Sequence, residues 1–270
     1  MQTTLQFTPE IDSEPSPITP IQWIDKMYIK RDDLCIINGA SGGKARTCWA
    51  LTRKAVGGVV TAGSRQSPQV ELVATMAKAA GLRCIAHVPN GDISSGPVAH
   101  AAELGAEIYQ HRPGYNSVIV SRAKKCAAEM GFTEIPFGME CEEAVTQTRR
   151  QVANIPFSVK RIVVPVGSGM SLAGILWGLL DFRGRRTPFT NSSLTVLGVV
   201  VGADPTKRLD KYAPGDWRNT VTLVSSGVPY ARHVDASIGD IVLDPVYEAK
   251  CVGHLQAGDA FWIVGCRDIK

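Results

Sequence analysis

The chain has 270 residues, of which 44% are hydrophobic, and its 29 Lys and Arg against 25 Asp and Glu give a formal net charge of +4. This is a globular composition, and a chain of this length can bury most of its apolar surface, so a disordered chain and a disulfide-stapled miniprotein are excluded. No stretch approaches the ~18 consecutive apolar residues of a membrane-spanning helix, and the polar, Pro-rich beginning does not resemble a signal peptide. We therefore expect a soluble, unexported protein of the cytoplasm.

Cysteine usage and charge distribution restrict the function further. The seven cysteines are scattered and form no CxxC pair, which argues against a zinc ribbon, another metal site or a disulfide framework. The densest cationic cluster, Arg183, Arg185 and Arg186, is typical of a solvated surface. Contact with phosphate or nucleic acid is the other interpretation of that cluster.

Short β-branched segments alternate with longer segments of helical period along most of the chain. The alternation runs through Gly58–Ala62 and Pro68–Ala80, Arg83–Val88 and Gly96–Leu104, and Arg161–Val166 and Ser171–Phe182. Alternation of this kind is typical of a parallel sheet that is covered by helices on both faces. We therefore predict an α/β fold with doubly wound parallel sheets.

Three further local predictions follow from the chain. The apolar runs Leu194–Val201 and Phe261–Val264 predict buried strands. Pro68 suits a first helical turn, so a helix is predicted to begin just after Ser67. The segment Asp204–Asp240 is rich in Gly, Pro and Asp and has no clean period, which predicts loops and short strands.

A first glycine-rich segment, Gly39–Lys44, precedes a helical run. A lysine after glycines at a helix start suggests a nucleotide phosphate loop, but the chain has Asn38 and Ala45 where that motif needs a glycine and a hydroxyl residue. The hydroxyl that would bind magnesium is therefore missing. For this segment alone, a capped helix with an exposed lysine is the simpler interpretation.

A second glycine-rich segment, Gly167–Gly174, follows a strand and begins an apolar helix. Its small residues let the backbone approach a ligand, and the free N–H groups with the helix dipole favour a dianion such as phosphate. Tight packing of helix on strand is the structural alternative. The segment also imitates the nucleophile elbow of α/β-hydrolases, because Ser171, Asp204 and His254 occur in the order of that triad. The last elbow position, however, is Ala173 instead of glycine.

The third segment, Asp244–Lys250, reads DPVYEAK. Asp244 before Pro245 predicts the start of a helix whose first turn contains Tyr247 and Glu248. By spacing alone, this is a helix cap followed by a solvated carboxylate.

Together, and in this order, these segments resemble the pyridoxal-phosphate (PLP) enzymes of the tryptophan-synthase-β fold type, also called fold type II, in the branch of ACC deaminase and D-cysteine desulfhydrase. Gly42–Lys44 is similar to the family's Gly-Asn-Lys, and Thr61–Ser67 to its glycine-rich turn ending in Gln-Ser. Gly167–Gly174 resembles the phosphate cup, and Asp244–Glu248 the site turn of the ACC deaminase branch. Two further similar segments are Ile18–Gln22 and Ile29–Leu34.

The resemblance implies that PLP is the cofactor and that Lys44 carries it as a Schiff base. Glu248 would face the pyridine nitrogen and keep it protonated, so that the ring withdraws electrons from a carbanion at the substrate's α carbon. Tyr247 would act as a proton shuttle or nucleophile. The residues that the resemblance implies around the phosphate are Gly167, Ser168, Gly169, Met170 and Ser171.

On the substrate side, the resemblance implies that Ser67 contacts the substrate carboxylate or passes a proton. Arg65 and Gln69 are further candidate substrate contacts. The chain reads Ser67-Pro68-Gln69 where the family has Ser-Asn-His, so a cofactor contact and an imidazole are lost, and Gly43 replaces the asparagine before the lysine. We therefore expect little turnover of ACC or D-cysteine and a preference for a larger anionic amino compound, which Arg65 could hold.

We predict a larger cofactor-binding domain, residues 1–45 and 141–270, and a smaller inserted domain, residues 46–140. The predicted function is a PLP-dependent, lyase- or deaminase-like reaction through an α-carbanion on an amino-group substrate. One alternative is a decarboxylase or lyase acting on an amino acid attached to a modified nucleobase, which is thought to be the role of short virus-encoded relatives in DNA modification. An α/β serine hydrolase and a cofactor-free binding module are the others. The expected partners are a small or nucleotide-linked substrate and a second copy of the chain in a homodimer. Nucleic acid is a further candidate partner, and no membrane partner is expected.

Overall fold

The computed structural model describes residues 16–65, 67–112, 114–185 and 194–265, with only the backbone of 182–185. The chain forms two compact units. Unit 1 contains the described residues of Met1–Cys35, Ser41–Gly43 and Glu142–Lys270, and unit 2 those of Ile36–Ala40 and Lys44–Cys141. The predicted insertion of residues 46–140 falls within unit 2, and its status as a domain remains a prediction.

Fourteen strands, seven α-helices and five short 3-10 helices lie in the described residues. The strands are β1 Ile21–Ile24, β2 Met27–Arg31, β3 Ile36–Ile37, β4 Ala40–Ser41, β5 Gly58–Ala62, β6 Arg83–Pro89, β7 Glu107–His111, β8 Thr133–Ile135, β9 Arg161–Val166, β10 Thr195–Val200, β11 Val221–Ser225, β12 Ser237–Ile238, β13 Ile241–Val242 and β14 Ala260–Ile263. The α-helices are α1 Gly43–Thr52, α2 Pro68–Ala79, α3 Gly96–Glu103, α4 Asn116–Met130, α5 Glu142–Arg150, α6 Met170–Arg185 and α7 Thr206–Tyr212. The 3-10 helices are Asp32–Leu34, Phe137–Met139, Gln151–Asn154, Trp217–Asn219 and Glu248–His254.

Unit 2 is built on a four-stranded parallel sheet in the order β7-β6-β5-β8. The apolar side chains of Val60 and Ile85 pack against Ile119 and Ala123 of α4. Thr61, the next residue along β5, bonds to Gln69 of α2 instead. Because successive side chains of a strand point to opposite faces, α2 and α4 cover opposite faces of the sheet. The predicted doubly wound arrangement is confirmed here.

Unit 1 contains a six-stranded sheet in the order β1-β2-β14-β9-β10-β11. All neighbouring pairs are parallel except the β1–β2 hairpin, so this sheet is mixed. On one face, Val163 and Phe261 pack against Ala249 and Cys251 of the last 3-10 helix. Helices α5 and α6 approach closely because α6 carries glycine at the contact. A Cβ atom at Gly174, for example, would lie 2.5 Å from the Cβ of Thr148.

A buried polar network fixes the beginning of the described chain on the sheet of unit 1. The ammonium of Lys30, which is fully buried, donates to the Thr19 carbonyl and to Asn154 Oδ1, each at 2.8 Å. The Asp32 carboxylate accepts hydrogen bonds from Thr19 Oγ1 at 2.5 Å and from Trp262 Nε1 at 2.9 Å. Buried charges are tolerated only when they are hydrogen-bonded in this way. The segments Ile18–Gln22 and Ile29–Leu34 therefore have a structural role.

The structure differs from the sequence predictions at two places in unit 1. Helix α7 lies inside the segment that was predicted to hold loops and short strands. It buries only Leu209 and Tyr212, too few residues to show a helical period. The turn at Asp244 leads into a 3-10 helix that begins at Glu248, so Tyr247 is its N-cap residue and is not in its first turn.

Within the described ranges, we find no helix with the length and hydropathy that crossing a membrane requires.

Candidate active site

The carboxyl ends of three parallel strands of unit 1 carry small residues. Gly167 follows β9, Gly202 comes two residues after β10, and Val264 and Gly265 follow β14. The carboxyl ends of parallel strands meet at one edge of a sheet, where ligands bind in open α/β folds. The predicted phosphate segment thus lies at the edge where a site is expected.

The segment Gly167–Ser171 runs from the end of β9 into the first turn of α6. Gly169 has φ +89°, a conformation that favours glycine, and a Cβ atom there would lie 3.1 Å from the Cβ of Pro205. Ser168 and Ser171 are half-buried, and Met170 is the first residue of α6. The first N–H groups of a helix have no partner inside the helix and lie at its positive dipole end. This geometry suits an anion such as phosphate.

Asp244 shapes the turn that presents Tyr247. Its Oδ1 accepts hydrogen bonds from the backbone N–H of Val246 at 2.8 Å and of Tyr247 at 2.9 Å. This cap holds the Tyr247 ring against Gly167, where an added Cβ atom would lie 2.9 Å from Tyr247 Cε1. Gly167 must therefore be glycine to leave room for the tyrosine beside the predicted phosphate segment.

Glu248 is a buried carboxylate with one unused oxygen. Its Oε1 accepts hydrogen bonds from the backbone N–H of Val264 at 2.9 Å and of Gly265 at 3.2 Å. Its Oε2 is buried and has no hydrogen-bond partner among the described residues. Burial, followed by the neighbouring Asp244 carboxylate, raises the pKa of Glu248 to about 8, although the backbone hydrogen bonds act in the opposite direction. Glu248 is thus a solvent-shielded carboxyl group rather than the solvated one that spacing alone suggested.

The two glycines before Lys44 pack against the same strand end of unit 1. The N–H of Gly43 donates to the Val264 carbonyl at 2.8 Å, and a Cβ atom at Gly42 would lie 3.2 Å from the Cα of Gly265. Lys44 itself is the second residue of α1 and has an exposed side chain. The glycines are therefore explained by close packing of two backbone segments, and they fix the chain immediately before the lysine.

Tyr230 is a further candidate site residue, which the sequence analysis does not single out. Its hydroxyl lies 3.3 Å from the Tyr247 hydroxyl, and the two rings meet edge to face with centroids 5.9 Å apart. Its ring also lies over Gly202, where an added Cβ atom would be 3.5 Å from Tyr230 Cδ2. Tyr230 is 50% exposed and stands in the segment without a clean period. No local pattern marks it, because only the fold brings it to Tyr247.

Unit 2 contains the predicted residues Lys44, Arg65, Ser67 and Gln69. Ser67 is the N-cap residue of α2, as predicted, and its hydroxyl accepts a 3.3 Å hydrogen bond from the Gln69 N–H. The Arg65 guanidinium packs on Gly91, where a Cβ atom would lie 2.5 Å from Arg65 Cζ, and donates to the Asp92 carbonyl at 3.1 Å. At least part of the charge proposed for substrate binding thus serves to hold the Gly91 loop.

The side chain of Gln69, a predicted substrate contact, is hydrogen-bonded within unit 2. Its side chain is 2% exposed, and its Nε2 donates to Thr61 Oγ1 at 3.1 Å and to the Pro136 carbonyl at 3.0 Å. Its Oε1 accepts a 2.8 Å hydrogen bond from the Gly138 N–H. Both ends of the amide are therefore used inside unit 2, and they join α2 to the turn after β8.

The hydrolase alternative finds no support in the geometry of its acid. Asp204 is exposed, and its Oδ1 accepts hydrogen bonds from Thr206 Oγ1 at 2.5 Å and from the Thr206 N–H at 2.9 Å. These bonds lower the pKa of Asp204 and give it the role of a local cap at the start of α7.

Within the described ranges, no cluster of three or more His, Cys, Asp or Glu side chains could hold a metal ion.

Comparisons with known proteins agree with the resemblance. Residues 14–247 match the family model described as "Pyridoxal-phosphate dependent enzyme". The chain is 26% identical to the 1-aminocyclopropane-1-carboxylate deaminase of Pseudomonas syringae pv. tomato over 86% of its own length and 74% of the relative. Among solved structures, an ACC deaminase homologue has a TM-score of 0.75 at 24% identity, covering 93% of this chain and 90% of that chain. The serine racemase of Dictyostelium discoideum has a TM-score of 0.63 at 14% identity and covers 94% of both chains. The two solved structures establish the tryptophan-synthase-β fold, and the family match, which spans most of the chain, establishes that this protein belongs to the pyridoxal-phosphate dependent enzymes.

Proposed function

We propose that this PLP-dependent enzyme catalyses a lyase- or deaminase-like reaction that breaks a bond at the α carbon of an amino-group substrate. The observation that carries the proposal is the buried Glu248 carboxyl group with its unused oxygen. When bound, the cofactor's ring withdraws electrons from bonds at the α carbon of the attached amino compound, and it does so most strongly with its nitrogen protonated. A carboxylate is the side chain that favours that protonated form.

The residues of this chain fit the cofactor. Glu248 Oε2 is a buried polar atom without a partner among the described residues, which is costly unless a ligand supplies a donor. Glycine at 167 and at 169 lets Tyr247 and Pro205 pack directly against the backbone of the predicted phosphate segment. We propose that Lys44 Nζ holds the cofactor covalently, that Gly167, Ser168, Gly169, Met170 and Ser171 hold its phosphate, and that Glu248 holds its ring nitrogen.

Glu248 is oriented for this task by its own backbone contacts. The N–H groups of Val264 and Gly265 bind Oε1 and leave Oε2 for a donor. Burial and the neighbouring Asp244 raise the pKa of Glu248 to about 8, which favours the protonated carboxyl group at neutral pH. That proton is available to be shared with a basic ring nitrogen, which makes Glu248 both a binding group and an electrostatic one.

We assign proton handling near the substrate to the two tyrosines. Tyr247 lies against Gly167, and its hydroxyl and that of Tyr230 are close enough to share a proton. Tyr247 Oη would hold the proton or deliver it to the substrate, and Tyr230 Oη would then give a proton back to Tyr247. Ser67 is proposed to contact the substrate carboxylate and Arg65 to add positive charge there, while Gln69 joins α2 to the turn after β8.

The two alternative activities, a serine hydrolase and a decarboxylase or lyase for nucleobase-linked amino acids, have unequal support. The family assignment excludes a serine hydrolase. A decarboxylase or lyase acting on a nucleobase-linked amino acid rests on Arg65 and on the cluster Arg183–Arg186, but the Arg65 guanidinium is engaged at Gly91 and Asp92. Arg186 and the side chains of Arg183 and Arg185 lie outside the described residues. The cytoplasmic location, the homodimer and contact with nucleic acid also remain predictions.

A substrate screen tests the proposed reaction. The enzyme with PLP is incubated with D- and L-amino acids and ACC, while α-proton exchange in D2O is followed by NMR and release of ammonia, sulfide and carbon dioxide is assayed. We expect exchange and ammonia release from at least one amino acid. We expect little from ACC or D-cysteine, because Pro68 cannot make the side-chain contact of the family's asparagine. Carbon dioxide from a nucleotide-linked amino acid, with no reaction of free amino acids, would instead favour the decarboxylase.

A further inference from the structure

Lys250 is a buried cation that no step proposed above uses. It lies in the 3-10 helix that begins at Glu248, and only 4% of the residue is exposed. Lysine is rarely buried to this extent, because an ammonium loses its hydration unless protein acceptors replace the water. The Lys250 ammonium must therefore have acceptors inside the protein.

The ammonium binds two consecutive carbonyl groups of one segment. Nζ donates to the Pro229 carbonyl at 2.9 Å and to the Tyr230 carbonyl at 3.0 Å. It also lies 5.8 Å from the centroid of the Tyr230 ring, within the range of a cation–π contact. Three interactions of one buried group thus converge on Tyr230 and the residue before it.

The segment around Tyr230 is irregular, and its backbone is also held four residues later, where the Val234 N–H donates to the Pro245 carbonyl at 3.0 Å. Residues 226–236 contain neither helix nor strand, and residues 229–233 are exposed. Tyr230 nevertheless has its hydroxyl 3.3 Å from that of Tyr247. Without a fixed backbone, an exposed tyrosine in such a segment would sample many positions.

Lys250 connects the two tyrosines through one short helix. Tyr247 is the N-cap residue of the helix that carries Lys250, and the Lys250 N–H donates to the Tyr247 carbonyl at 3.2 Å. The backbone of Tyr230 is therefore tied, through the ammonium, to the same helix turn that presents Tyr247.

We propose that Lys250 is a positioning residue that places the Tyr230 hydroxyl opposite the Tyr247 hydroxyl. The proposal rests on the proposed function in so far as it gives this pair the proton transfer. A compact ammonium with three donors suits two neighbouring carbonyls, whereas an apolar side chain of similar length would leave both carbonyls without this donor.

The test uses the full-length enzyme with PLP and the variants Lys250→Met, Tyr230→Phe and their combination. Lys207→Met, which removes an exposed lysine of unit 1, is the matched control. Deuterium uptake of peptides spanning residues 226–236 is measured by mass spectrometry, and the kcat and KM of α-proton exchange are measured with D- and L-serine. If Lys250→Met does not fold, Lys250→Gln replaces it.

We expect Lys250→Met to raise deuterium uptake in residues 226–236 and to lower kcat about tenfold, with KM changed by less than about twofold. In the Tyr230→Phe background the same substitution should have little further effect on kcat, because Lys250 acts through that hydroxyl. Unchanged uptake, or a kcat loss that persists in the Tyr230→Phe background, would overturn the proposal. If the parent enzyme exchanges neither serine, the proposed function fails with this probe, and deuterium uptake still decides whether Lys250 anchors the segment.

Discussion

Two buried polar side chains, Glu248 in unit 1 and Gln69 in unit 2, show how differently the two units use polar groups. Both are almost fully buried; Glu248 accepts hydrogen bonds from the two backbone N–H groups of Val264 and Gly265, and Gln69 accepts one from Gly138. The Gln69 amide is used at both ends, whereas Glu248 keeps one buried oxygen without a partner among the described residues. A buried carboxyl oxygen without a protein donor can accept a hydrogen bond from a ligand, whereas the fully paired amide joins two parts of the scaffold.

Removing the charge of Glu248 should have the largest effect. Glu248→Gln keeps an oxygen for the Val264 and Gly265 N–H groups but cannot hold a proton on the ring nitrogen. We expect α-proton exchange of the best substrate to fall about 10²-fold, equivalent to about 3 kcal/mol, while the protein stays yellow. Asp240→Asn, at an exposed acid of the same unit, should leave the rate unchanged. Equal rates in Glu248→Gln and the parent would return Glu248 to a structural role.

Gln69 should behave in the opposite way. Gln69→Leu leaves the Gly138 N–H and the Pro136 carbonyl without their partners, and we expect a loss of about 2–3 kcal/mol in the free energy of unfolding by urea. The KM of the best substrate should change little. Gln256→Leu, at an exposed glutamine, serves as the control. A raised KM with unchanged stability would mean that Gln69 contacts substrate after all.

Unit 2 also contains a buried side chain with an unpaired atom, which can be compared with Glu248 of unit 1. In the described part of the chain, His87 Nε2 is buried and has no hydrogen-bond partner. Arg122 donates to His111 Nδ1 at 2.6 Å, so His111 Nε2 is the donor toward His87 Nδ1, 2.7 Å away. Burial, with His111 and Arg122 adding to it, lowers the pKa of His87 to about 4. The unpaired N–H of His87 is thus part of a neutral pair inside the scaffold.

This pair predicts a pH-dependent stability with a defined sign. The unfolded chain protonates His87 near pH 6.5 and the folded chain only near 4, so its contribution is complete above about pH 6.5 and is lost as the pH falls to about 4. We expect His87→Gln to remove about 2 kcal/mol of the stability difference between pH 7 and pH 4.5, measured by urea unfolding. His233→Gln, at an exposed histidine, should keep the parent's pH dependence.

Much of the fold could be predicted because its strands are continuous apolar runs. Gly58–Ala62 and Arg161–Val166 form strands with the predicted boundaries, and α2 begins at the predicted Pro68. Helix α7 was missed because only two of its residues are buried. Strand β7 was missed because its side chains are mostly exposed and show no apolar run.

In the candidate site too, residues of a local sequence motif could be predicted, whereas residues brought together only by the fold could not. Tyr247 and Glu248 could be singled out because they belong to one continuous motif that begins at Asp244. Tyr230 could not, because its contact with Tyr247 joins residues 17 positions apart through an irregular segment. Gln69 was assigned to substrate because sequence shows which residue replaces the family's histidine but not where its hydrogen bonds go.

The most direct test of the account is the identity of the lysine that carries the cofactor. The enzyme with PLP is reduced with borohydride, digested and analysed by mass spectrometry for the pyridoxyl group. We expect a yellow protein that borohydride bleaches, with the label on Lys44 and none in Lys44→Ala. A label on another lysine, or unchanged labelling of Lys44→Ala, would contradict it.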